Sequence, residues 1–261
     1  MTTYIFENKS EEREYRRLQL VEAANDPTTI ALLEETGVQA GWHCLELGAG
    51  AGSILRWLGK RVGPTGLVVG IDKTLTYLRD PNSPWIRLTQ GSFLEVPINQ
   101  TFDLIHARYV LIHNQQDVDI LKKVLSVLKP GGWAVFEEPD FTSAALSEKD
   151  QNSSSARVNQ AICQMFVQIG LDPAYALHLP RKLQEIGWHL VHTQSLLHLC
   201  PGNSPMAKVM GESALVLERE YVNTGLCSQE DIQEYVRLSQ DPGHWAIYHS
   251  TTSVIVRKPP L

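Results

Sequence analysis

One ten-residue stretch constrains this chain more than any other: Cys44-Leu45-Glu46-Leu47-Gly48-Ala49-Gly50-Ala51-Gly52-Ser53. Apolar residues run into three glycines at every second position. Ile54, Leu55, Leu58 and Val62 then follow at helical spacing until Gly63-Pro64. The pattern predicts a buried strand, a glycine turn and a helix start, which together bring bare backbone N–H groups against the polar end of a ligand. A carboxylate, Glu46, stands two residues before the first glycine. Leu67 to Ile71 reads as a second strand ending in Asp72, so strand, helix and strand make one right-handed parallel unit.

The elements around this unit follow from the same periodicities. Ser10-Glu11-Glu12 suits a helix start, with Tyr15, Leu18 and Val21 spaced along one face. Asp26-Pro27 reads as the N-cap and first position of a second helix that ends at Gly37. After Lys73, Pro81 and Pro84 leave room for at most about two helical turns before a third strand, Trp85 to Leu88. Phe102 to His106 is a fourth strand. Asn114 is expected to cap a helix with Val118, Leu121, Val124, Leu125 and Leu128 on its face, closed by Lys129-Pro130-Gly131-Gly132. A fifth strand, Trp133 to Phe136, runs out into Glu137-Glu138-Pro139-Asp140.

Beyond a polar loop at 147–155, Val158, Ile162, Met165, Phe166 and Ile169 share a helical face, and Pro180 to Ile186 reads as a shorter helix. His189 to Leu199 is a sixth strand and Ser253 to Val256 a last one. Between them Ser204-Pro205 opens an amphipathic helix carrying Met206, Val209, Met210, Leu217 and Tyr221, for which core packing is the default reading. Ser228-x-x-Asp231 has the form of a capping box. No repeat or linker divides the chain, which reads as one domain.

Composition narrows the function classes. The formal net charge of −6, without a dense Lys/Arg run beyond Arg13, Arg16 and Arg17, argues against nucleic acid as the main partner. The four cysteines, Cys44, Cys163, Cys200 and Cys227, are far apart and form no C-x-x-C pair, so neither a disulfide framework nor a zinc site is expected. No apolar run approaches the roughly 18 residues of a membrane span. Met1-Thr2-Thr3-Tyr4 lacks the layout of a signal peptide. The expectation is a soluble, cytoplasmic protein.

Two ligand classes use such a glycine turn, dinucleotides and S-adenosylmethionine. A dinucleotide fingerprint needs glycine at the third position of G-x-G-x-x-G, where this chain has Ser53. Asp72 suits ribose hydroxyls in either case. From Asp26 to Asp140 the sequence resembles the class I S-adenosylmethionine-dependent methyltransferases, in the group that includes quinone-biosynthesis and natural-product enzymes. The resemblance rests on Glu46-Leu-Gly-Ala-Gly-Ala-Gly52, Val68-Val-Gly-Ile-Asp72, Gln90-Gly-Ser-Phe93, Phe102 to His113, and Leu128-Lys-Pro-Gly-Gly132, in order and at matching spacings.

The resemblance implies a Rossmann-like seven-stranded α/β sheet, with six strands parallel and Ser253–Val256 antiparallel. Within the single domain, residues 1–38 read as an N-terminal helical cap, 39–140 as the cofactor-binding core and 200–245 as a helical insertion that could lid an acceptor pocket. Tyr4, Tyr15 and Arg17 would close the other side. Glu46 would lie near the methionine ammonium, with Gly48, Ala49, Gly50 and Gly52 along the aminoacyl chain. Asp72 would accept both ribose hydroxyls and Lys73 border the adenosine. Ser92 and Phe93 would meet the adenine, Ser92 replacing the group's usual acid. Arg108 would border the methionine portion, or form a salt bridge with Glu137 or Glu138.

Methyl transfer from a sulfonium is an in-line displacement, so the protein's work is orientation and water exclusion, and a base is needed only where the acceptor loses a proton. His106, Tyr109, His113, Glu138 and Asp140 are the candidate bases; His113 is singled out, with a loop-anchoring role as its structural counterpart. Glu138 and Asp140 alone are too few for a metal site. Instead of an Asn/Asp-Pro-Pro-Tyr/Phe motif the chain has His106-Ala-Arg-Tyr109, against a nucleobase or glutamine acceptor. The leading expectation is methylation of a small metabolite at O, C or N. A binder of the same cofactor that does not methylate, cyclase-like or a sensor, is the alternative, and a nicotinamide-dependent oxidoreductase the third. A homodimer is left open.

Overall fold

The alternation between a 3.6-residue and a two-residue apolar period becomes an alternation of helices and strands. The computed structural model describes Phe6 and residues 10–79 and 83–260; Tyr4 and Pro81 lie outside the described residues. In chain order the elements are α1 (Glu11–Glu35), β1 (His43–Leu47), α2 (Ser53–Val62), β2 (Leu67–Asp72), β3 (Ile86–Gln90) and β4 (Phe102–Arg108). Then come α3 (Asp117–Val127), β5 (Leu128–Asp140), α4 (Thr142–Ser147), α5 (Ser154–Gln168), α6 (Tyr175–Glu185) and β6 (His189–Pro201). The chain closes with α7 (Pro205–Val216), α8 (Glu218–Val222), α9 (Gln229–Gln240) and β7 (Trp245–Arg257).

The strands form one seven-stranded mixed sheet in the order β3-β2-β1-β4-β5-β7-β6, so the expected α/β class is borne out. β1 pairs parallel with β2 and with β4, β2 with β3, and β4 with β5. This order places the carboxyl ends of β3, β2, β1 and β4 side by side, across the reversal of strand order where open α/β sheets hold their ligands.

The residues fall into two compact units. One comprises Asn25–Glu138, His178–Gln194 and Ser253–Leu261. Its core joins Leu32 and Leu33 of α1 to Ile54, Leu55, Leu58 and Val62 of α2 against Val68 and Leu104 of the sheet. Each such side chain contributes about 1.5–3 kcal/mol relative to exposure. The other unit comprises Met1–Ala24, Pro139–Leu177 and Ser195–Thr252. There the methionine stripe (Met206, Val209, Met210, Leu217, Tyr221) is buried, as core packing requires. The capping box of α9 forms, and its Asp231 also receives Ser154 Oγ at 2.8 Å and Arg157 Nε at 2.9 Å, tying α5 to α9. The four cysteines are free thiols. Among the described residues no helix is long and apolar enough to cross a membrane.

Several sequence expectations need correction. The two N-terminal helices are one, because α1 runs through Pro27. A helix-interior proline costs about 3 kcal/mol. The burial of Leu32 and Leu33, with the polar ties of Asn25, Asp26 and Thr29 described below, opposes that cost. α6 likewise begins at Tyr175 and runs through Pro180, with Leu179 and Leu183 fully buried. Residues 73–79 form turns rather than a helix: Thr74 Oγ1 accepts from Thr76 N at 3.3 Å and donates to Thr76 Oγ1 at 2.9 Å, which competes with helical bonding. Asn114 does not cap α3. Its amide donates to Val110 O at 2.6 Å, and α3 starts at Asp117 without a side-chain cap. Lys129 to Gly132 lie within the span of β5, where Phe102 pairs with Leu128 but Leu104 with Trp133, so these four residues bulge from the ladder. The expected Pro205 helix breaks at Leu217, and Ile169 is exposed.

Candidate functional site

The site grows from the end of β1. Gly48, Gly50 and Gly52 all have positive φ (67°, 54° and 89°), the left-handed backbone that favours glycine. Gly48 N donates to Ile71 O at 2.8 Å, Gly52 N to Ala49 O at 2.8 Å, and Ala49 is buried between them. A Cβ at Gly48 would meet Val110 Cγ2 at 2.5 Å and one at Gly52 would meet Leu78 Cδ2 at 2.7 Å. Gly48→Ala is therefore expected to lose about 2–4 kcal/mol of stability, from backbone strain plus overpacking. Urea unfolding reads this, and a variant within about 0.5 kcal/mol of the wild type would contradict it.

The neighbouring strand ends supply the rest. Asp72, at the end of β2, accepts from Gly50 N at 3.0 Å and Thr74 N at 3.1 Å; burial raises its carboxyl above the usual range, and these amides oppose the rise. Lys73 beside it is exposed. Gln90, at the end of β3, stands opposite Asp72 in the register, and Gly91 N donates to Asp72 O at 2.8 Å. Ser92 then turns the chain, its carbonyl accepting from Glu95 N and Val96 N, both at 2.9 Å. Phe93 is buried, with Lys123 Nζ 5.0 Å from its ring centroid and donating to Phe93 O at 2.6 Å.

Glu46 does not stand open at the strand end. His106 bridges two buried carboxylates, its Nδ1 2.8 Å from Glu46 Oε2 and its Nε2 3.0 Å from Glu137 Oε1. Burial opposes charge on His106, but the two acids outweigh it and raise the imidazole to about 9, so at neutral pH it is an imidazolium donating to both. Burial pushes Glu46 up, His106 only partly countering; for Glu137 the His106 bond outweighs burial and the carboxyl sits low. His106 is thus a buried link, not a base. Arg108 pairs with Asp26 at 3.0 Å and donates to Thr29 Oγ1 at 2.8 Å, rather than bonding Glu138; burial works against its charge, and Glu137 and Asp26 more than restore it.

Because the folded chain keeps the His106 proton to about pH 9 and an unfolded chain releases it near 6.5, the stability that proton supplies is whole below about pH 6.5 and lost as pH rises to about 9. Denaturant midpoints at pH 6, 7.5 and 9 are expected to fall in that order, and a flat profile would refute the bridge.

The β4 end also carries strain. Tyr109 has φ 57°, rare for a residue other than glycine, with its hydroxyl donating to Asn25 Oδ1 at 3.0 Å. Glu138 is fully buried and accepts from Val110 N (3.1 Å), Leu111 N (2.8 Å) and Ile112 N (3.1 Å); burial pushes it up to about 8. It anchors the turn Leu111–His113, at whose end His113 sits partly buried. Asp140 is spent on α4 and β7, accepting from Thr142 N at 3.0 Å and Ser250 Oγ at 3.1 Å. Neither acid is available as a base or metal ligand.

The structure thus brings Glu46, the three glycines, Asp72, Ser92, Phe93 and Arg108 to four adjacent strand ends. The sequence reading missed Asn25, Asp26 and Thr29, which reach the β4 end from α1; Asp26 also accepts from Ser53 Oγ at 3.1 Å. Their signal was three polar residues clustered just before the apolar Ile30, Leu32 and Leu33.

Known proteins resemble this chain. A curated demethylmenaquinone methyltransferase of Staphylococcus aureus is 31% identical over 40% of this chain and 46% of its own length. The matches span about half the length of the curated relatives. Among solved structures, the 4+2 cyclase SpnF covers 90% of this chain and 81% of its own at TM-score 0.59 and 17% identity. Phosphoethanolamine N-methyltransferase 2 of Haemonchus contortus, solved with S-adenosylhomocysteine, covers 89% and 52% at TM-score 0.57 and 14% identity. These two likenesses establish the fold. The family model described as "methyltransferase domain" matches residues 11–192. It bears out the family resemblance and the enzyme class read from the sequence. With that model covering most of its length and a glycine turn at the end of β1, the chain belongs to the methyltransferase domain family.

Proposed function

We propose that this chain methylates a small-molecule acceptor at O, C or N with S-adenosylmethionine as donor. The observation that carries this reading is the convergence of the glycine turn, Asp72 and the Gln90–Phe93 segment on neighbouring strand ends. The turn would take the donor's aminoacyl chain, its glycines required by positive φ and by packing against Val110 and Leu78. Asp72, acceptor-only when ionised, suits ribose hydroxyls, and Ser92 with Phe93 suits the adenine edge. When bound, S-adenosylmethionine supplies an electrophilic methyl on a sulfonium. The chain's residues orient the two partners and exclude water. Arg108 and Tyr109, held by Asp26, Thr29 and Asn25, close the β4 side. His113 enters as the candidate base for acceptors that lose a proton on methylation.

Thermal unfolding with S-adenosylmethionine, S-adenosylhomocysteine and NAD tests the cofactor, since a ligand at 100 times its Kd stabilises by about 2.7 kcal/mol. Stabilisation by NAD alone would overturn the reading. A methyl-labelled donor offered with phenols, quinols, amines and acidic carbon compounds tests the reaction. Binding without label in any acceptor would favour the non-methylating alternative.

A further inference from the structure

Glu46, His106, Arg108 and Glu137 occupy one face of the sheet: Glu46 stands opposite His106 in the register, and Arg108 opposite Glu137. His106 and Glu137 are at most 1% exposed and Glu46 is 4% exposed. Replacing a buried ionic cluster of this kind by apolar residues is often neutral or stabilising, so stability alone does not account for it. Its charges are also unequal. Three acids, Glu46, Glu137 and Asp26, face two basic groups, His106 and Arg108. Glu46 and Glu137 share His106, and Glu46 lies two residues before the first glycine of the turn.

We propose that His106 is a positioning residue for the amino end of the cofactor: its two hydrogen bonds hold Glu46 at the foot of the glycine turn, engaging Oε2 and leaving Oε1 for the cofactor's ammonium. The assignment rests on the cofactor reading above. It makes a directional statement, because asparagine places a donor where Nδ1 stands, toward Glu46, whereas glutamine places one where Nε2 stands, toward Glu137.

The test compares two ligands by calorimetric titration of the full chain. S-adenosylhomocysteine carries the ammonium; 5′-methylthioadenosine has the same nucleoside and thioether sulfur without the aminoacyl chain. His106→Gln is expected to weaken S-adenosylhomocysteine about tenfold or more, the scale of a charge-assisted hydrogen bond. It should leave methylthioadenosine unchanged. His106→Asn should restore most of that affinity. Equal weakening of both ligands, no weakening, or asparagine behaving as glutamine would each overturn the proposal. Should His106→Gln not fold, Glu46→Gln carries the same expectation of selective loss. A wild type that binds neither ligand would overturn the cofactor reading and this proposal with it. A wild type that binds both, with variants that lose both alike, overturns this proposal alone.

Discussion

Glu138→Ala is expected to lower the unfolding free energy by about 3–5 kcal/mol, enough to dominate any survey of single substitutions in this chain. Glu138 ends the first unit's share of β5 and takes three consecutive amides, Val110, Leu111 and Ile112, on one carboxylate. Alanine would leave those donors buried without an acceptor, at about 1–3 kcal/mol each before any water enters the space. Glu138→Gln keeps an acceptor oxygen in the same volume and resembles the protonated carboxyl that burial favours up to about pH 8. It should cost only about 1–2 kcal/mol. Urea unfolding at constant m-value separates the two, and an alanine variant within about 1 kcal/mol of the wild type would show that the amides find other partners. The effect should reach the glycine turn, because the anchored turn fixes Val110, whose side chain lies over Gly48.

The fold was legible where a residue's role depends on its immediate neighbours. The glycine turn, the apolar face of α2 and the capping box of α9 are local patterns, and each has the expected form. Helix ends were less legible where tertiary contacts outweigh propensity. Pro27 and Pro180 read as helix starts, yet both lie inside helices. At the candidate site the residue types were visible but their partners were not. The sequence places Glu46, His106 and Glu137 on three separate segments. Only the strand order β1-β4-β5 makes them neighbours, turning an expected open carboxylate and a candidate base into one buried bridge. Arg108 shows the same limit: its direct ion pair is with Asp26, 82 positions earlier, while Glu137 acts on it without one.

Asp72→Ala is expected to abolish stabilisation by S-adenosylmethionine while leaving a folded protein. In the wild type, saturating ligand should raise the unfolding temperature by about 5 °C or more, from about 2.7 kcal/mol of linkage in a chain of this size. In the variant the shift should vanish. The carboxylate's own bonds are to Gly50 N and Thr74 N, in a part of the site that is only partly buried, so losing them should cost about 1–3 kcal/mol of intrinsic stability and leave the sheet intact. Asp72→Asn keeps one acceptor oxygen, which can serve Gly50 N, but sets a donor against Thr74 N that cannot receive a ribose hydroxyl either. The asparagine variant should therefore lose about 1–3 kcal/mol without ligand, as alanine does, and show less than half the wild-type shift with ligand. A full shift in either variant would place the ribose elsewhere. In that case the order of strand ends would still locate the ligand at the glycine turn, but the acid that selects it would have to be sought among Glu46 and the groups around the β4 end.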